Sequence, residues 1–192
     1  MKGMDITMEK VNQRVMITKR MLKDALLHIL ESKNIDKVNI TELCKEAGIN
    51  RATFYTHYET PNDILNEIER DIVLEIESKQ QSISNPSLQS STEIMCQYLY
   101  QNAHTVRILL QNFTGEDLAK MINHYYGTII NSSLASNLDA DTLKLITTYL
   151  TGGGFFLLAY WIKEEVPKSP QEIATLITDL FTGHHSLPLH HE

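Results

Sequence analysis

The sequence predicts an all-α protein in two parts, a small N-terminal helical bundle and a larger helical body. Three observations predict it. Apolar residues recur at the three- and four-residue spacing of a helix face through most of the chain, and no stretch alternates with the two-residue period of a strand. The interruptions are those that punctuate helices: Gly48, Thr60-Pro61, Pro86, Gly115, Asn137 and the segment VPKSP at 166–170. At 192 residues, 42% of them hydrophobic, the chain can bury one small and one larger domain without disulfides or a metal.

Each element follows in order. Residues 18–33 place Leu22, Ala25, Leu26, Ile29 and Leu30 on one helix face, and residues 34–39 break it. Thr41 is placed to cap a short helix, TELCKEA, which Gly48 ends as a left-handed stop. Asn50 caps the next, RATFYTHY. Thr60-Pro61 opens a long helix, with Pro61 in the first turn where its missing N–H costs nothing. Ile64, Leu65, Ile68, Ile72 and Ile76 run down one side of it. The polar stretch KQQSISNPSLQSST, 79–92, reads as the loop between domains. The expected limits are therefore 1–60 for the head with a linking helix over 61–78, 79–183 for the body, and 184–192 for a frayed tail. Within the body the pattern predicts helices near 93–103, 105–112, 116–135, 139–164 and 170–182.

The net charge of −7 argues at first against a nucleic-acid partner, but its distribution does not. Residues 1–60 hold ten Lys/Arg against eight Asp/Glu, whereas the remainder holds seven against sixteen. A DNA-binding head needs only a local positive face, because phosphate attraction is short-ranged at cellular salt. Cys44 and Cys96 lie far apart, follow no metal-ligand spacing, and read as buried thiols of a reducing compartment. The N-terminal segment MKGMDITMEKVNQR has no apolar run of the kind a signal peptide needs, so the expected compartment is the cytoplasm.

Residues 41–58 read helix, glycine turn, helix, the arrangement that lets a second helix enter the major groove. Ala47 is small where the helices approach, and Leu43, Ile49 and Phe54 are expected to pack on Leu22, Leu26 and Ile40. That leaves Arg51, Ala52, Thr53, Tyr55 and Thr56 outward, with Asn50 and Thr41 at the two helix starts. Arg51 and Thr53 can bond base edges, Tyr55 and His57 can reach phosphate oxygens, and the helix start at Asn50 offers N–H groups to phosphate. The stretch ITELCKEAGINRATFYTHYETPNDIL closely resembles the DNA-binding domain of the tetracycline-repressor (TetR) family of regulators. The resemblance covers about residues 18–76, with Gly48, Thr53, Phe54, Tyr55, His57, Tyr58 and Leu65 in register. It implies a three-helix helix-turn-helix DNA-binding domain, a C-terminal helical ligand-binding and dimerisation domain, and DNA contacts from Thr53, Tyr55 and His57. Many members carry a phosphate-touching lysine where this chain has Pro61.

After residue 80 the resemblance weakens, although the segment from Gly152 to Phe181 is similar to the last two helices of many members, which pair with a second copy as a four-helix interface. Leu150, Gly153, Gly154, Leu157, Trp161, Ile173, Leu176, Ile177, Leu180 and Phe181 are its expected residues. Each glycine inside a helix costs about 0.8–1 kcal/mol relative to alanine, so Gly152, Gly153 and Gly154 either break the helix or are offset by close approach of another. Close approach is the expectation. The uncharged run 145–162 reaches the lower length limit for a membrane span, but its hydroxyls and glycines favour a helix buried by its own domain and a partner. Met95, Tyr98, Leu99, His104, Phe113, Met121, Tyr125, Phe155 and Tyr160 can line an apolar pocket with polar tips, or simply pack the core.

The resemblance implies a small-molecule effector, a double-stranded DNA operator and a second copy as partners, and repression released when ligand tilts the 61–78 helix. No cofactor is expected, nor a metal: the His184-His185 and His190-His191 pairs sit in a tail. No nucleophile motif, glycine-rich phosphate loop or HExxH pattern points to an enzyme, and Glu164-Glu165 reads as a solvated helix end. An adaptor of the same fold, controlled by a protein partner, is the alternative.

Overall fold

A computed structural model of the protein describes residues 2–84, 87–112 and 139–182, with side chains from residue 12 onward. Among the described residues are eight α-helices, one 3₁₀ turn and no strand. The chain divides into two compact units, residues 1–72 and 73–192, and the division falls inside a helix.

The first unit is built on α1 (Lys2–Leu30), α2 (Ile40–Ala47), α3 (Arg51–His57) and the first half of α4 (Pro61–Gln81). α1 runs well N-terminal of the expected residue 18, and the 3₁₀ turn Ile35–Lys37 lies within the expected break. Leu22, Leu26, Leu43, Phe54 and Ile64 lose all contact with solvent, which makes one core from four helices. Ile40 and Ile49 are only half-buried at its edge.

The cap of α2 differs from expectation. Asn39, in extended backbone, accepts a 2.9 Å hydrogen bond from the Glu42 amide, so Thr41 is already inside the helix. Asparagine is among the strongest N-caps, and here it lies two residues earlier. α2 ends at Gly48 (φ 66°, ψ 27°), with the Ile49 amide donating back to the Cys44 carbonyl at 2.9 Å. This is the six-to-one closure that needs a left-handed residue, and nothing lies near the missing Cβ; glycine is there for its φ. Asn50 then caps α3, accepting from the Thr53 amide at 2.8 Å.

In the second unit, α5 (Leu88–Gln101), α6 (Ala103–Asn112), α7 (Ala140–Lys163) and α8 (Pro170–Thr182) follow the rest of α4. α5 packs most extensively on α8, and α7 touches α5, α6 and α8. The loop expected over 79–92 is shorter. α4 continues to Gln81, and Ser87 caps α5 by accepting from the Ser90 amide, so the polar residues 89–92 lie at the start of a helix. Polar residues at a capped helix start are a local preference rather than a loop signal. Ser169 and Glu172 close a reciprocal capping box on α8.

α7 stays helical through Gly152, Gly153 and Gly154. Among the described residues, Gly154 meets the Phe181 ring 3.4 Å from where its Cβ would be, and Gly152 and Gly153 meet no neighbour. By length and mean hydropathy (1.4) α7 is long and apolar enough to cross a membrane, and it packs on three helices of its own unit. The expected 116–135 helix, the breaks at Gly115 and Asn137, and the 184–192 tail with its histidines lie outside the described residues.

Candidate nucleic-acid interface

α3 has seven residues and buries one side chain, Phe54. One buried anchor on a two-turn helix leaves most of its circumference to solvent. Arg51, Ala52, Tyr55 and Thr56 are exposed, Thr53 and His57 are half-buried, and Tyr55 keeps 52% of its surface. Asn50 and Thr41 are exposed at the starts of α3 and α2. No acid lies on α3, so its outer surface presents a guanidinium, hydroxyls, a phenol and an imidazole.

Two of these groups are partly organised. The Arg51 guanidinium lies 5.9 Å from the Tyr55 ring centroid and its Nη2 is 3.4 Å from the phenol oxygen, an i,i+4 pair along one face. Thr56 Oγ1 donates to the Ala52 carbonyl at 3.0 Å, which leaves the hydroxyl oxygen facing out as an acceptor. The Thr53 amide is occupied by Asn50, so that helix start offers one N–H fewer to a phosphate than its position suggests.

The scaffold behind α3 is polar as well as apolar. Tyr58, the cap residue, is buried against Phe54, with Lys19 Nζ 5.3 Å from its ring centroid. Its phenol is pushed well above the ordinary range, first by burial and then by the nearby Glu67 carboxylate. Glu67 on α4 receives Lys19 at 2.7 Å and Lys23 at 2.8 Å from α1, and Lys23 also binds Asp71. Burial alone would raise the Glu67 carboxyl, but hydrogen bonds from Lys19 and Lys23 outweigh it and hold the group at about 2.

At the start of α4, the Asp63 carboxylate accepts from the Thr60 amide at 2.7 Å and the Glu59 amide at 2.9 Å. Those two bonds hold its carboxyl below the ordinary range, that from Thr60 most of all. The N–H groups of Glu59 and Thr60, beside Pro61, are therefore already bound to a carboxylate.

In the body, Met95 and Phe155 are buried, Tyr98 and Leu99 half-buried, and His104 exposed. Tyr160 keeps 65% of its surface, so it does not line an interior pocket of the protomer. Phe113, Met121 and Tyr125 lie outside the described residues. One cavity among the described residues, about 680 Å³, is lined by none of the six of these that are described. Its walls are Tyr100, Ala103 and Arg107, Trp161 and Ile162, and residues 165–169. Arg107 carried no sequence signal, and Trp161 was legible only as an apolar interface residue.

Of the expected interface residues, Gly154, Trp161, Ile173 and Ile177 are buried within the protomer, and Leu150, Leu157, Leu176 and Phe181 are half-buried. Gly153 and Leu180 are exposed. The open face of α7 is one step round from the expected one: Leu145, Tyr149, Gly153, Phe156 and Tyr160. Helical period alone cannot choose between two faces of a helix apolar on all sides. Both cysteines are free and buried, and the Cys96 thiol is pushed up to about 12 by burial and by Glu93, which makes it unreactive. Among the described residues no group of His, Cys, Asp and Glu is arranged to hold a metal ion.

A family model of the TetR type, described as "Transcriptional regulator C-terminal region", matches residues 87–183, half of the chain. No curated protein matches the sequence. Among solved structures, the TetR transcriptional regulator from Streptococcus agalactiae 2603V aligns with a TM-score of 0.72 at 16% identity, covering 91% of this chain and 98% of that one. The dihydroxyacetone kinase operon activator DhaS and the fatty acid degradation regulator FadR from Bacillus halodurans each align at 0.60 and 15% identity, covering 88% of this chain and 96% of theirs. At such identities these neighbours establish a shared fold. With the family match over the body and a helix-turn-helix in the head, the chain belongs to the TetR family of DNA-binding transcriptional regulators.

Proposed function

We propose that the protein is a homodimeric, ligand-responsive repressor that reads a near-palindromic operator in double-stranded DNA. The observation that carries this reading is the outer face of α3, acid-free and exposed behind a left-handed glycine turn. In this reading Thr53 meets a base edge with Arg51 beside it, and Tyr55 and His57 bind phosphates. Two such helices in a dimer, about 34–36 Å apart, would meet successive major grooves.

The second copy is supported by the uncharged open face of α7, where Leu145, Tyr149, Phe156 and Tyr160 each keep more than 60% of their surface. The effector is supported by family membership. A ligand acting through α4 would shift the dimer between two spacings by its difference in affinity for them. Such a regulator works in the cytoplasm.

The test is the double variant Tyr55→Ala, His57→Ala. Two lost hydrogen bonds to phosphate, at about 1.5–3 kcal/mol each, should lower operator affinity at least tenfold. The oligomeric state in sedimentation should not change. Wild-type operator affinity in the double variant would refute this DNA face.

A further inference from the structure

The 680 Å³ cavity of the body is unlike the rest of that unit in charge. Residues 73–192 hold six Lys/Arg against twelve Asp/Glu, yet the described lining of the cavity holds two cations, Arg107 and Lys168, and one carboxylate, Glu165. Its apolar walls are equally distinct. Tyr100 and Trp161 stack with ring centroids 5.8 Å apart and planes 15° from parallel, and Ala103, Ile162, Val166 and Pro167 complete the lining. The indole N–H donates to the Lys168 carbonyl at 3.0 Å, so the aromatic wall is fixed by a bond as well as by packing.

Arg107 is held at one end. Its Nε donates to the Ile162 carbonyl at 2.9 Å, which sets the plane of the guanidinium, and Nη2 meets Glu165 Oε1 at 3.0 Å. Glu165 is the single non-glycine residue with positive φ (51°) among the described residues. The turn around it is closed by backbone bonds, Glu164 N–H to the Tyr160 carbonyl and Val166 N–H to the Trp161 carbonyl. The Glu165 side chain, 70% exposed, can therefore leave Arg107 without opening the turn.

We propose that this cavity is a binding site for a small aromatic monocarboxylate, whose carboxylate replaces that of Glu165 on Arg107. A guanidinium fixed in plane matches a carboxylate in two-bonded geometry, and the fixed aromatic wall matches a ring. Lys168 is paired with Glu172 and Ser169 closes the α8 cap, so one cation rather than two faces the ligand, which favours a monocarboxylate over a phosphate. The binding claim stands without the regulator reading. Only the role of the ligand as an effector rests on it.

Trp161 is the one tryptophan in the chain, so its emission reports on this wall alone. The full-length protein is titrated with 3-phenylpropionate and, separately, with 3-phenylpropionamide. A saturable change is expected with the acid at millimolar concentration or below, and one at least tenfold weaker with the amide. Arg107→Gln should lose the response, and Glu165→Gln, which removes the competing charge, should tighten binding severalfold. Circular dichroism checks that Arg107→Gln is folded, and Glu165→Gln carries the test if it is not. Equal response to acid and amide, no saturable response, or unchanged affinity in Glu165→Gln would overturn the proposal. Operator affinity with and without the acid separates the two readings. Saturable binding that leaves the operator untouched supports the site and removes only its effector role. Failure of the unliganded protein to bind any operator bears on the regulator reading alone.

Discussion

At Gly48 the backbone makes a demand that no other residue type meets cheaply. Its φ of 66° closes α2 and sets the direction in which α3 departs. Because nothing stands near its missing Cβ, alanine there would pay only the left-handed penalty, about 1–2 kcal/mol. Gly48→Ala should lower the thermal midpoint by several degrees, and an unchanged midpoint would remove the conformational reason for the glycine. Glu165 makes the same comparison from the other side. It accepts a left-handed backbone, where glycine would be easier, and sets a carboxylate on Arg107. The helix end read from the sequence as solvated is thus tied to α6.

Between elements, the strongest polar joint described in the head is the clamp of α1 on α4. Lys19 and Lys23 converge on Glu67, whose side chain keeps only 19% of its surface. The folded state holds the Glu67 carboxyl at about 2 against an ordinary 4.5. A depressed carboxyl stabilises fully above its unfolded value and loses that contribution as pH falls through the folded one. The full shift corresponds to at most about 3 kcal/mol. Between about pH 6 and pH 3 the wild type should therefore lose more stability to urea than Glu67→Gln does, as both unfold. Parallel losses would mean that Glu67 does not carry this pH dependence. The clamp also reaches α3, because Lys19 covers the ring of Tyr58. A loosened clamp would disturb the recognition helix from behind.

For the whole molecule, partner geometry centres on the exposed apolar side of α7. Its buried side packs on α5, α6 and α8, while its other side carries Leu145, Tyr149, Phe156 and Tyr160 into solvent around the unfilled Gly153. A charge there should not disturb the protomer's core, since Phe156 keeps 72% of its surface. If the proposed homodimer forms through this face, Phe156→Glu gives a folded monomer in sedimentation, with weakened operator binding because two half-sites no longer share one dimer. A dimer as tight as wild type would move the interface off this face.

What the sequence determined by itself is local. Helical period, the left-handed stop at Gly48, the cap at Asn50 and the helix start at Pro61 are written in residues a few positions apart, and each has a short-range cause. The all-α class and the helix-turn-helix follow from them. Where two local signals compete, the structure decides between them: Asn39 rather than Thr41 caps α2, and the polar residues after Ser87 open α5 rather than a loop. Tertiary structure alone decided which side of α7 faces inward, because a helix apolar on all sides has no period to betray its core. It alone also brought Arg107 to Trp161 and Glu165 around one cavity, since residues more than fifty positions apart leave no joint mark on a single sequence.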